Sequence, residues 1–151
     1  MAITNPIITE EGLRDFIKKY YTNAVTVALL VYDSKGELTP QSTFSSVVGL
    51  EMQAQGGYTR KILNIGNPTT INENNKVKAF AESSPVFFTS NKNEYIPLFT
   101  HIAIATDTST TPSDTNGTLI RIEPVNDTGI KLRDGESYKY KFEVKYSVSF
   151  Y

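Results

Sequence analysis

Apolar and polar residues alternate without a break through the last fifteen positions of the chain. Tyr138, Tyr140, Phe142, Val144, Tyr146, Val148 and Phe150 fall on one side; Ser137, Lys139, Lys141, Glu143, Lys145, Ser147, Ser149 and Tyr151 fall on the other. Side chains of a strand point alternately to the two faces of a sheet, so the pattern predicts a strand with one buried face. At about 3.3 Å per residue it would span roughly 50 Å, several times the usual strand. Two arrangements use such a length. The strand bends to serve two sheets of one domain, or it runs straight and its end, Ser147, Val148, Ser149, Phe150 and Tyr151, pairs with a neighbouring molecule.

The remaining pattern predicts one helix followed by strands. Thr9 is placed to cap a helix whose first turn carries Glu10 and Glu11, with Leu13, Phe16, Ile17 and Tyr20 on one face and Lys18 and Lys19 near its end. This helix covers 9–22. The continuous apolar run 25–33 predicts a strand buried on both sides. Further strands are expected at 58–65, 76–81, 85–89, 99–106 and 117–123, separated by Gly, Asn, Asp and Pro turns. Residues 36–57 are weakly periodic and read as a large loop or an ill-formed strand. Residues 106–117, small and polar, read as a long solvated loop. The expected fold is all-β: an antiparallel β-sandwich, jelly-roll-like or immunoglobulin-like, with one short N-terminal α-helix. It forms a single domain over 9–151, preceded by an arm at 1–8.

Composition narrows the chemistry. The chain has 151 residues, a formal net charge of −1 and no cysteine. Disulfides, thiolate catalysis and cysteine-ligated metals are thereby excluded. Basic and acidic residues are interspersed, without the clustered Lys and Arg that bind phosphate backbones or anionic lipid, so neither nucleic acid nor membrane is expected as a partner. No secretion signal and no apolar run of membrane-spanning length is visible, which predicts synthesis in the cytosol and no export by secretion.

Catalytic and ligand-binding patterns are equally sparse. His101 is the single histidine and has no companion for a metal site; in a half-buried strand it reads as a hydrogen-bonded structural residue. Arg60 and Lys61 could hold an anion, but basic residues opening a strand read as solvated. The loop acids Asp107, Asp114, Asp127, Asp134 and Glu136 are not spaced to define a carboxylate pair, and Asp114-Thr115-Asn116-Gly117 lacks the terminal glutamate of a calcium loop. No catalytic residue, cofactor or metal is assigned, and no enzymatic activity is expected.

Four stretches in order carry a resemblance: ALLVYDSKGEL, GGYTRK after a long loop, FTHIAIATD followed by a polar loop and GTLIRIEPV, and IKLRDGESY opening the terminal strand. The succession resembles small structural proteins of tailed bacteriophages, of the tail-fibre, baseplate or virion-decoration type. The opening ITNPIITEEGLRDFIKKYYTN is also similar to the start of phage tail-collar fibre proteins, although Ala105-Thr106-Asp107 stands where those carry Gly-Asp. The resemblance implies a non-enzymatic virion component, assembled in the host cytoplasm, whose partners are other virion proteins and copies of itself in a trimer or ring. A tail, baseplate or fibre position is the leading expectation and a capsid decoration (cement) protein the alternative. Ile3, Ile7 and Ile8 of the arm join the terminal strand as expected assembly contacts. A carbohydrate-binding β-sandwich is the remaining reading, with Tyr58 and Tyr95 as the aromatic residues placed to meet a sugar.

Overall fold

The computed structural model describes residues 7–91 and 94–149. It is mostly β, with several antiparallel sheets and a short N-terminal helix. The chain divides into two compact units. One comprises residues 1–24, 64–84 and 141–151, the other 25–63 and 85–140.

In the first unit, helix α1 (Glu10–Ile17) begins at Thr9, whose hydroxyl accepts the Gly12 amide at 3.0 Å. The capping predicted from Thr9 and the acidic first turn is present. The helix continues as a five-residue π-helical segment, Lys18–Thr22, closed by the Asn23 amide donating to Lys18 O. This winding changes which aromatic is buried. Residues spaced by four drift sideways along an α-helix, and the wider π turn rotates back, keeping Leu13, Ile17 and Tyr21 in one buried line. Phe16 and Tyr20, expected on that face, remain 47% and 43% exposed and stack on each other.

The helix packs on strands β3 (Thr69–Glu73) and β4 (Lys76–Glu82) of a three-stranded antiparallel sheet. Its order is β11-β4-β3, with β11 spanning Glu143–Ser149. Strands β3 and β4 meet at Asn74 and Asn75, both with positive φ (52° and 57°), the backbone of a tight hairpin turn that asparagine tolerates. Strand β3 was not apparent from its polar sequence. In β4, Val77, Ala79 and Ala81 point inward, opposite Val148, Tyr146 and Val144 of β11.

The second unit is built on a four-stranded antiparallel sheet, β2-β1-β7-β8. Its strands are β1 (Thr26–Val31), β2 (Lys61–Ile62), β7 (His101–Thr106) and β8 (Thr118–Pro124). All six residues of β1 are buried, as the apolar run predicted. Helix α2 (Phe44–Val48) covers one face, packing Phe44, Val47 and Val48 against Val27, Leu29, Val31, Ala103 and Ala105. Residues 36–57 thus contain a helix rather than only a loop or strand. It starts at a reciprocal capping box: Ser46 N donates to Thr43 Oγ1 at 3.2 Å, and Thr43 N donates to Ser46 Oγ at 3.0 Å. Two smaller antiparallel pairs complete the unit. Strand β6 (Ile96–Phe99) pairs with β9 (Ile130–Leu132), and β5 (Val86–Thr89) pairs with β10 (Ser137–Tyr140).

The terminal run is therefore two strands, not one. Strand β10 pairs with β5, β11 pairs with β4, and the alternation breaks as a ladder at Lys141 and Phe142. The opposing chain explains the break. Pro85 has no N–H to continue a ladder. Just before it, the Ser83 amide donates to Phe142 O at 2.8 Å, but the Phe142 amide donates at 2.9 Å to the Ser83 side chain, Oγ, instead of the backbone carbonyl. The burial face was nevertheless read correctly, with Tyr140, Phe142 and Val144 inside.

Candidate functional site

In the second unit the turn Gly56–Gly57 returns the chain towards Glu51. Gly56 has φ +66°, and a Cβ there would lie 2.2 Å from Tyr95 O, so glycine is the side chain that fits this approach. The turn places Glu51, Tyr58 and Arg60 together, all buried. Arg60 grips the carboxylate with two donors, Nε to Oε2 at 2.9 Å and Nη2 to Oε1 at 2.8 Å. Tyr58 OH donates to Oε2 at 2.5 Å and accepts the Leu30 amide at 3.2 Å. The remaining Arg60 donors reach Thr108 Oγ1, Ser109 O and Asp114 O, and the Ser113 amide donates to Glu51 Oε1 at 2.9 Å.

One sequence expectation is corrected here and one refined. Arg60 is 1% exposed, not solvated, because a carboxylate and three acceptors compensate its burial. The polar stretch 106–117 is mostly exposed, as expected of a solvated loop, but it is fastened: Thr106 and Thr108 are buried, and Arg60 holds Thr108, Ser109 and Asp114. The electrostatics follow. Burial and the adjoining Glu51 carboxylate push the Tyr58 phenol well above its usual range. Burial works against the Arg60 cation, but the Glu51 hydrogen bond and charge outweigh it and raise its pKa. The cluster holds matched charges, and every donor of the guanidinium that it uses ends on the protein itself. Its chemistry is that of a staple.

Tyr58 is consequently unavailable to a sugar: it is 4% exposed and stacks on Phe88 at 6.3 Å. Tyr95 lies at the surface, 45% exposed, with Lys131 Nζ 4.8 Å from its ring centroid. The structure does not bring these two tyrosines into one exposed platform. His101 is half-buried, and its Nδ1 lies 2.8 Å from Thr100 Oγ1, which also accepts the Asp33 amide. Among the described residues, no group of three His, Asp or Glu side chains gathers as metal ligands, and no helix is long and apolar enough to cross a membrane.

The first unit contains an open sheet edge. Strand β11 is an edge: β4 pairs along its whole length, from Glu143 opposite Glu82 to Ser149 opposite Lys76. Among the described residues, no strand pairs with its other side. Such an edge presents a row of backbone N–H and C=O groups to any incoming strand. Beside it, on the face away from α1, an open groove of about 370 Å³ is lined by Thr69, Ile71, Phe80 and Lys145, with Ile71 58% exposed. Ser147 and Ser149 are exposed and Val148 half-buried along this edge; Ile7 is exposed and Ile8 half-buried. Ile3, Phe150 and Tyr151 lie outside the described residues. The strand expected to carry assembly is thus an edge, although the length up to Ser149 is taken up by pairing within the chain.

Comparison of the chain with protein-family models, with curated proteins and with solved structures finds no match.

Proposed function

We propose that this chain is a non-enzymatic structural component of a tailed-phage virion, mounted in the tail, baseplate or fibre assembly and acting through protein–protein contacts. The observation that carries the proposal is the open, regular edge of β11 beside the exposed Ile71–Phe80 groove. Natural proteins blunt such edges with proline, bulges, covering segments or charged side chains; β11 carries the charges of Glu143 and Lys145 but, among the described residues, no proline, bulge or covering strand. In an assembly protein the same edge is where a partner's strand adds. The succession of turn and strand motifs resembling tailed-phage structural proteins supplies the virion context. In this reading the antiparallel sheets are layers of a β-sandwich, jelly-roll-like or immunoglobulin-like, serving as a scaffold rather than as walls of an active site. The Glu51–Arg60 staple fits that role, since its polar groups fasten a loop.

The partners in this proposal are other virion proteins and further copies of the chain, joined in the host cytoplasm. Mass spectrometry of density-gradient-purified particles tests the proposal. The protein is expected in the particle fraction and retained through salt washing. Recovery only from the soluble lysate would overturn it. A decoration role on the head, the alternative within the same class, is separated by the location of the protein on the particle.

A further inference from the structure

Strand β11, EVKYSVS, can pair with a second copy of itself about Tyr146. Antiparallel pairing centred there sets Val144 opposite the partner's Val148 and Tyr146 opposite Tyr146 on the inner face. Lys145 then faces the partner's Ser147, and Glu143 faces Ser149, on the outer face. All seven residues are matched, apolar meets apolar, and no like charges are opposed. Other registers do worse. A slip of one residue sets inner side chains against outer ones. Centring on Lys145 opposes two lysines, which destabilises a cross-strand pair. Centring on Val144 leaves only Glu143 to Lys145 of β11 matched, and centring on Ser147 leaves Glu143 and Val144 unmatched.

We infer that two copies of this chain associate through β11 about a two-fold axis at Tyr146, joining their three-stranded sheets into one sheet of six. This deepens the assembly reading and rests on it for the supply of many copies at one place. Two further features support the pairing. The strand contains no proline and no bulge, and its ladder to β4 runs in continuous register, so its outer side is straight. Among the described residues, Val144 to Ser149 form no backbone hydrogen bond outside that ladder. Flanking the axis, the half-exposed Phe16–Tyr20 stack meets Tyr146, with the Phe16 and Tyr146 rings edge-on at 5.9 Å. Pairing brings this aromatic group of each copy towards the joint. The elementary contact is then isologous, where the resemblance implied a trimer or ring.

The register gives the test a sign. Ser147 is exposed and faces the partner's Lys145 twice across the axis, so Ser147→Lys creates two lysine–lysine contacts between copies and Ser147→Glu two opposite-charge contacts, beside the pair that each makes with Lys78 in its own sheet. Sedimentation of the purified chain is expected to show a dimer. Ser147→Lys should weaken it about tenfold and Ser147→Glu should tighten it, both with unchanged far-UV circular dichroism. Because the chain has no cysteine, mixing Lys145→Cys with Ser147→Cys offers a second reading: disulfide-linked heterodimers should outnumber either homodimer. A monomer at every concentration, a dimer indifferent to the charge at 147, or cross-linking without heterodimer preference would overturn the inference. Each of these outcomes is independent of whether the protein is found in particles, so this pairing and the virion role fail separately.

Discussion

Arg60 illustrates how far one buried charge can organise a loop. Its five bonds tie Glu51, Thr108, Ser109 and Asp114 together, and removing either partner of the ion pair leaves the other buried without its counter-charge. Arg60→Ala is expected to cost about 3–5 kcal/mol in urea unfolding. It should also speed amide exchange across residues 108–114. The double replacement Glu51→Leu with Arg60→Met should cost less than Arg60→Ala, because no stranded charge remains. Tyrosine ionisation gives a second residue-level prediction. Tyr58 is raised by burial and Glu51; Tyr140 is raised by burial and by its hydrogen bond to Glu123. Both phenols keep their protons in the folded state when the unfolded chain would lose them near pH 10. The stability they contribute is therefore full below that pH and falls as pH rises above it. Absorbance titration should show tyrosinate forming at the exposed tyrosines first, with these two ionising only on unfolding. Tyr58→Phe should flatten the alkaline loss of stability.

Elements were legible in the sequence where one physical signal acted alone. The Thr9 cap, the buried run of β1 and the inward face of 138–148 follow from capping and periodicity, and the structure shows all three. They were illegible where a second chain segment decided the outcome. The terminal alternation carries no mark of its break at Lys141–Phe142, because the cause is Pro85 and Ser83 in the strand region opposite. Tyr20 gave way to Tyr21 because the helix widens, and Glu51 was passed over because its partner lies across a glycine turn. Helix α2 did have a signal: Phe44, Val47 and Val48 at helical spacing behind Thr43, in a segment only five residues long. Loss of that cap in Thr43→Ala should cost about 1 kcal/mol. The glycine turn can be tested by a matched pair. Gly56 and Gly135 both have positive φ, but only Gly56 has backbone in the way of a Cβ. Gly135→Ala should carry the conformational penalty of about 1–2 kcal/mol, and Gly56→Ala should be clearly less stable than that in thermal melts.

For the whole molecule, the buried polar cluster of the second unit, Glu51, Tyr58 and Arg60, holds a loop of that unit. In the first unit β11 is, among the described residues, an open edge with exposed aromatic and aliphatic residues near it, and the proposed association draws on both. The virion reading joins that surface to the resemblance of its motifs. Its most direct test is gold labelling of intact phage particles with antibody raised against the protein, viewed by electron microscopy. The account predicts label on the tail, baseplate or fibres at a constant position from particle to particle. Label confined to the icosahedral shell, or particles that carry none, would contradict it.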